Sequence, residues 1–302
     1  MTFDIITLGS ATVDVLVESK NEVKKDRNHY DVAYHLGEKI LIDKLNFTTG
    51  GGGTNTAVAF ARLGLKTGFI GCLGDDTNGE MVLKELDEEG VEFLGKVKEG
   101  HTGYSVILPA KSDRTILAYK GVNNQLEPQD YPKAVETTWI YLSSMLGQSW
   151  ESSLQFVERE KKKGAKLAFN ASMYLAKQGM GKLKNLLKIT EIFILNKEEA
   201  AALTREKKVE KMLKTLQEYS KIVVITDGAK PVYAISDGKI FKKSYPLTNV
   251  VDPTGAGDAF ASGFVYGIMK GMDIESCLDY GHAEAKAVLE HYGAKNDLLR
   301  KL

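Results

Sequence analysis

Apolar residues fall into two rhythms along this chain. Short, nearly unbroken apolar runs recur in "FDIITLGS" (3–10), "KTGFIGCLG" (66–74), "WIYLSS" (139–144), "KLAFNAS" (166–172), "EIFILN" (191–196) and "KIVVITDG" (221–228). Runs of this length, closed by turn residues, predict strands buried on both faces. Helix-like segments lie between and after them: about 54–64, 78–90, 151–164, 181–190, 197–204, 209–220, 257–271 and 274–291. Gly64 and Gly90 end the first two of these, because glycine accepts the left-handed backbone of a helix stop. A hairpin is expected through "YAISDGKIFK" (233–242). Strand and helix in alternation predict an α/β fold with a mainly parallel central sheet, covered on both faces.

Two stretches break that rhythm. "VDVLVES" (13–19) alternates apolar with polar, "KILIDKLNF" (39–47) predicts another strand, and "TGYSVILPAKSDRTILAYKG" (102–121) reads as two strands around a polar turn at "AKSD". Taken together, 12–48 and 101–120 are expected to form a small β lid. The α/β domain is then 1–11, 49–100 and 121–302. In sheets of this kind ligands bind beyond the carboxyl ends of the strands, where the glycine-rich turns of this chain fall.

Composition narrows the function classes. The 302 residues suit one large α/β domain or a domain with an insertion, and 43% hydrophobic residues can build its core. Forty basic residues balance forty acidic ones, which argues against a global attraction to nucleic acid. Cys72 and Cys277, the two cysteines, sit among apolar and small residues and read as buried free thiols rather than a disulfide framework. The segment "MTFDIITLGS" lacks a basic leader, and no run approaches the ~20 apolar residues of a membrane span. The expectation is a cytoplasmic protein, without nucleic acid or membrane partners.

The candidate chemistry concentrates in "DPTGAGDAF" (252–260). Glycines before a helix let an anion approach unpaired N–H groups at its positive end. A carboxylate beside a phosphate repels it, unless its task is to take a proton from the attacking hydroxyl. On the residues alone, a capped turn and an anion site with a base both stand. The Gly-Lys-Ser/Thr of a Walker A loop is missing, and no GxGxxG follows the first strand.

"DPTGAGDAFASGF" resembles the C-terminal signature of the ribokinase-like (PfkB) carbohydrate kinase family, and "GGGGTNTAVAFARLG" resembles its N-terminal signature. "GSATVD", "YKGVNN", "LNKEEA" and "VITDG" are similar to further segments of that family, in the same order along the chain. The resemblance implies a ribokinase-like three-layer α/β/α fold with a β lid. It implies an ATP- and Mg²⁺-dependent kinase acting on a hydroxymethyl group of a sugar or sugar acid. Carried over residue by residue, Asp258 is the general base, and Gly255, Ala256 and Gly257 form the anion hole. Asp14, Gly51, Gly52, Gly53 and Asn55 hold the acceptor. Asn196, Thr226, Gly228 and His282 lie along ATP. Glu199 holds Mg²⁺ through water, and Asp252 and Thr254 hold a monovalent cation such as K⁺. For Asn196 and Glu199, a helix capping box has the same spacing.

Two departures bear on the substrate. Ribokinase-type members often carry lysine where this chain has Gly52, which weakens ribose as the acceptor. "FNASMYLA" (169–176) lacks an arginine that many sugar kinases have after the position of Asn170. A nucleoside kinase of the same family is the alternative, with Tyr34, Tyr104 or Tyr119 as the surface for a base. A non-catalytic sugar- or nucleotide-binding protein is the remote one. A homodimer through the lid is also expected, since pairing covers an open sheet face.

Overall fold

The computed structural model describes residues 1–19, 22–26, 29–110, 113–246 and 249–300. The first apolar run is β1 (Thr2–Leu8). The chain leaves it through β2 (Thr12–Ser19), a hairpin of β3 (Glu22–Asp26) and β4 (His29–Ala33), and β5 (Ile42–Gly50). It returns as α1 (Gly52–Arg62), β6 (Thr67–Ile70), β7 (Cys72–Gly74), α2 (Thr77–Glu88), β8 (Glu92–Phe93) and β9 (Lys96–Lys98). After β10 (Gly103–Ala110) and β11 (Asp113–Tyr119) the alternation resumes: β12 (Glu136–Leu142), α3 (Gly147–Lys162), β13 (Lys166–Asn170), α4 (Met173–Ala176), α5 (Met180–Leu187), β14 (Ile192–Asn196), α6 (Lys197–Thr204), α7 (Val209–Gln217) and β15 (Ile222–Thr226). The hairpin β16 (Val232–Ser236) and β17 (Lys239–Lys243) and the helices α8 (Ala256–Met269) and α9 (Ile274–Leu289) complete the described strands and α-helices.

Among the described residues the central sheet has nine strands, ordered β17-β16-β15-β14-β13-β12-β1-β6-β8. Pairing is parallel from β15 to β8, and only the β16–β17 edge is antiparallel. The period-two pleat splits each apolar run between two layers. Leu142, Phe169, Phe193 and Leu195 face α3, α5, α6 and α7. Tyr141, Ala168, Ile192 and Ile194 face α1, α8 and α9. This is the predicted three-layer α/β/α arrangement, and it explains why those runs read as unbroken: both faces are dry. Phe169 and Phe193 stack at 5.4 Å between centroids in one layer, and Phe60 meets Tyr141 edge-on at 5.6 Å in the other. Truncating a ring such as Phe169 to alanine costs about 3–5 kcal/mol. Cys72 and Cys277 are free and buried in opposite layers, and burial pushes both thiols up to about 12.

The second sheet has four strands, ordered β11-β10-β2-β5. It is mixed: β10 and β2 run parallel, while the outer pairs are antiparallel. Its register sets Val13 and Val15 on the face that packs on Val82 and Leu86 of α2, and Thr12 and Asp14 on the opposite face. Strand β5 starts and ends three residues later than the pattern suggested, because Thr49 and Gly50 pair with Val13 and Thr12. The charged β3–β4 hairpin carried no strand signal in the sequence. Of the expected "AKSD" turn, Lys111 and Ser112 lie outside the described residues. No helix among them is long and apolar enough to cross a membrane.

Candidate active site

The N-terminus of α8 opens at the carboxyl ends of the central strands. Asp252 fixes the entry: its Oδ1 accepts the Thr254 N–H at 2.9 Å and its Oδ2 the Gly293 N–H at 3.0 Å. Gly255 then takes a left-handed φ of 79°, and a Cβ there would strike Ala294. Only glycine meets both conditions. The N–H groups of Gly257 and Asp258, in the first turn, have no i−4 carbonyl within the helix. A Cβ on Gly257 would meet nothing within 4 Å, so that side of the turn is open.

Asp258 points from this turn toward α1. Its Oδ2 accepts from Asn55 Nδ2 at 2.8 Å. Its Oδ1 faces the Gly52 backbone, lying 3.6 Å from where a Gly52 Cβ would stand. Burial pushes the Asp258 carboxyl above the usual range, and Asp14 adds to that push. The Asn55 hydrogen bond and the charge of Lys295 oppose it.

The four-glycine run turns β5 into α1. Gly51, at φ 97°, caps the helix, and the Thr54 hydroxyl donates to the Gly50 carbonyl at 2.6 Å. Gly51 and Gly52 are half-buried along the cleft. Gly53 instead packs inward on Gly9 and Phe69, with its N–H on the Ser10 carbonyl at 3.0 Å. It lets α1 lie close over the β1–β2 bend. Asp14 is buried against Gly50 and accepts from the Thr12 hydroxyl at 2.9 Å and from Ser105. Burial raises its carboxyl too, against those two hydrogen bonds and Lys295.

On the other side of α8 lies a cavity of about 390 Å³. Thr226, Gly228 and His282 line it together with Ala256 and Gly257. Tyr245 stacks on His282 with ring centroids 3.7 Å apart. Asn196 is the register partner of Thr226 at the ends of β14 and β15. With Glu199 it forms a complete capping box: Asn196 Oδ1 accepts the Glu199 N–H at 2.9 Å, and Glu199 Oε2 accepts the Asn196 N–H at 2.8 Å. Glu199 also accepts the N–H of Met173, and burial pushes it up to about 7, with Glu198 and Asp258 adding to the rise.

A sequence model described as "pfkB family carbohydrate kinase" matches residues 16–301. The chain belongs to this family. An uncharacterized sugar kinase of Archaeoglobus fulgidus is 32% identical over 250 residues, spanning 81% of this chain and all of the relative. A 5-dehydro-2-deoxygluconokinase of Shouchella clausii is 27% identical, over 97% of this chain and 91% of its own. In three dimensions the chain is similar to an adenosine kinase from Schistosoma mansoni, with a TM-score of 0.83 at 18% identity over 96% of each chain.

The structure of this carbohydrate kinase thus brings the residues expected from the sequence into two groups flanking Asp258. Asp14, Gly51, Gly52 and Asn55 lie on one side, and Ala256, Gly257, Thr226, Gly228 and His282 on the other. Asn196 and Glu199 stand at the rim of the second group, while Asp252 and Thr254 lie behind the turn. Tyr104 and Tyr119 pair with each other on the face of the second sheet turned away from Asp14. Tyr34 is partly exposed, its hydroxyl 3.3 Å from Ser19 Oγ.

Sequence reasoning missed several participants. Lys295 is buried beneath the glycine run. Asn123, within "YKGVNN", donates to the Ala11 carbonyl at 2.7 Å and accepts the Ala11 N–H at 2.9 Å, closing the β1–β2 bend as a strand would. Lys120 reaches over the Tyr174 ring at 5.7 Å.

No cluster of three or more His, Cys, Asp or Glu suited to a metal occurs among the described residues. Glu199, spent on two backbone N–H groups, suits a metal held through water. That fits Mg²⁺, which keeps several waters and takes other oxygens from phosphates. Thr254 Oγ1 is buried without a partner, an oxygen available to a cation.

Proposed function

We propose that this chain is an ATP- and Mg²⁺-dependent kinase that phosphorylates a hydroxymethyl group of a sugar or sugar acid. The observation that carries it is the position of Asp258. One oxygen is held by Asn55, and the carboxylate lies between the Asp14 pocket and the glycine turn that opens on the 390 Å³ cavity. Asp14 and Asn55 bind acceptor hydroxyls. Asp258 takes the proton of the reacting hydroxyl as its oxygen bonds to the γ-phosphorus and the bond to the β-phosphate oxygen breaks. The amides from Gly255 to Gly257 face the charge that develops on the moving phosphoryl group, commonly the largest catalytic contribution. Thr226, Gly228 and His282 border the nucleotide, with Asn196 oriented to its phosphates. Glu199 would hold Mg²⁺ through water, and the ion would supply charge that neutralises the phosphates. Asp252 and the unpartnered Thr254 hydroxyl support a monovalent cation such as K⁺ behind the anion hole.

The second sheet acts as a lid, segments 12–48 and 101–120 closing over the acceptor to exclude water. The face that carries Val13 and Val15, where α2 does not cover it, leaves Phe47, Leu117 and Tyr119 more than half exposed, which supports pairing with a second copy. Two unpaired thiols and a nucleotide co-substrate support a cytoplasmic setting. The nucleoside reading is weakened by the register, which turns Tyr104 and Tyr119 away from Asp14.

The test is an ATP-coupled screen of sugars, sugar acids and nucleosides. Turnover is expected with a sugar or sugar acid. Preferred turnover of a nucleoside would move the assignment to the second reading. ATP binding without turnover of any acceptor would favour a binding protein that has lost its chemistry.

A further inference from the structure

Lys295 is a buried charge that the proposed chemistry leaves unused. Its side chain is 4% exposed, and an ammonium in such a place needs partners or it loses its proton. Three elements supply them. Glu85 of α2 accepts at 2.5 Å, Thr49 of β5 at 2.9 Å and Thr54 of α1 at 3.4 Å. The Lys295 carbonyl in turn accepts from Arg62, which is itself clamped by Glu89.

These contacts converge on the corner where β5 becomes α1. The Thr54 hydroxyl that accepts from Lys295 donates its own hydrogen bond to the Gly50 carbonyl, and Gly50 lies against Asp14. The next residue, Asn55, holds Asp258. We propose that Lys295 is the positioning residue of the acceptor side, locking Thr49 through Asn55 in the geometry that sets Gly50 on Asp14 and Asn55 on Asp258. It rests on the reading of Asp258 as base and Asp14 as acceptor anchor.

The same ammonium has an electrostatic task. Asp14 and Asp258 are two carboxylates raised by burial, and a neighbouring carboxylate adds to each rise: Asp252 for Asp14, and Asp14 for Asp258. Lys295 acts on both in the opposite sense. Around Lys295 itself, burial works against the charge, Glu85 and Asp14 support it, and Arg62 opposes it. Glu85 therefore serves chiefly to keep the ammonium charged, and the ammonium keeps the acceptor-side carboxylates ionised.

The experiment compares wild type with Lys295→Met, Lys295→Arg, Glu85→Gln and the double variant Lys295→Met/Glu85→Gln, which leaves no carboxylate stranded. Removing the cation is expected to move the acid limb of kcat/KM for the acceptor upward by about one pH unit. The acceptor KM should rise about tenfold, while the KM for ATP stays within about twofold. Lys295→Arg, which keeps a cation, should hold the limb near wild type, whereas Glu85→Gln, which removes the carboxylate that keeps the ammonium charged, should move it part of the way toward the methionine variant. If Lys295→Met does not fold, the double variant carries the test. An acid limb and acceptor KM unchanged in whichever of the two folds would overturn the proposal. A ¹³C carboxylate titration of Asp14 and Asp258, assigned with Asp14→Asn and Asp258→Asn, needs no acceptor. Carboxyls that titrate higher in the methionine variant support the role of Lys295 even if no acceptor is ever turned over. Carboxyls that do not move overturn it even if the kinase reading holds.

Discussion

The two sides of Asp258 are built from different materials. On the proposed nucleotide side the parts are backbone: a glycine turn with φ 79°, helix N–H groups, and strand ends set in register by the parallel sheet. On the proposed acceptor side they are side chains from β2, α1, β10 and the C-terminal segment, with two carboxylates and a buried ammonium sharing one region. The difference teaches what each side tolerates. A backbone site fails when a Cβ intrudes or a turn cannot form. A side-chain site fails when a charge is removed, even where the fold is untouched.

Asp258 belongs to both sides, and the largest effect is expected there. Asp258→Asn should lower kcat by roughly 10²–10⁴, the usual contribution of a positioned base. In wild type the acid limb of kcat/KM should lie above the ordinary carboxylate range, because burial raises this carboxyl and the base works ionised. Activity therefore rises with pH through that limb. A steady-state pH profile of both proteins checks this, and a mutant near the wild-type rate would remove the base assignment.

Within the glycine turn, neighbouring residues should behave oppositely. Gly255→Ala combines a left-handed backbone with a collision on Ala294, and should cost about 2–4 kcal/mol in denaturant unfolding. Gly257→Ala meets open space in a helix, so stability should rise by about 0.5–1 kcal/mol. Its methyl would nevertheless stand over the anion hole, and turnover should fall. Equal activity in Gly257→Ala and wild type would argue that phosphate never approaches this turn.

The acceptor side is probed by Asp14→Asn, which keeps shape and removes charge. Loss of a charged hydrogen bond to the acceptor should raise its KM about 10–100-fold and leave the KM for ATP unchanged. A matching rise in both would show that the two sides are not separable.

The same contrast explains what could be read in advance. The glycine turn was legible because its parts are contiguous: "GAGD" carries the turn and the residues proposed as anion site and base within four positions, and the helix starts at Ala256. The buried strands were legible because unbroken apolar runs admit few other readings. Lys295 was not legible, since a lysine after "GA" (293–294) reads as solvated until the chain folds it under Thr49 and Thr54. Gly53 was assigned to the acceptor with its neighbours, but its packing on Gly9 depends on how β1 and α1 cross. The sides on which Tyr104 and Asp14 fall were equally hidden, because a one-residue change in register exchanges the faces of a strand.

The smallest effect addresses a spacing that sequence alone left open, the pair Asn196 and Glu199. The capping box is present in full, so Asn196→Ala should cost about 1 kcal/mol of stability whatever else the residue does. Asn196→Ser keeps a cap-forming oxygen and should recover most of that loss. It does not restore the amide that the proposed role turns toward the phosphates. Both variants should therefore share a raised KM for the magnesium–nucleotide complex while differing in unfolding midpoint. If serine restores the KM together with the stability, Asn196 is a helix cap alone. The nucleotide side would then reduce to the α8 turn and the cavity beside it, with Glu199 placed by the cap rather than by the ligand.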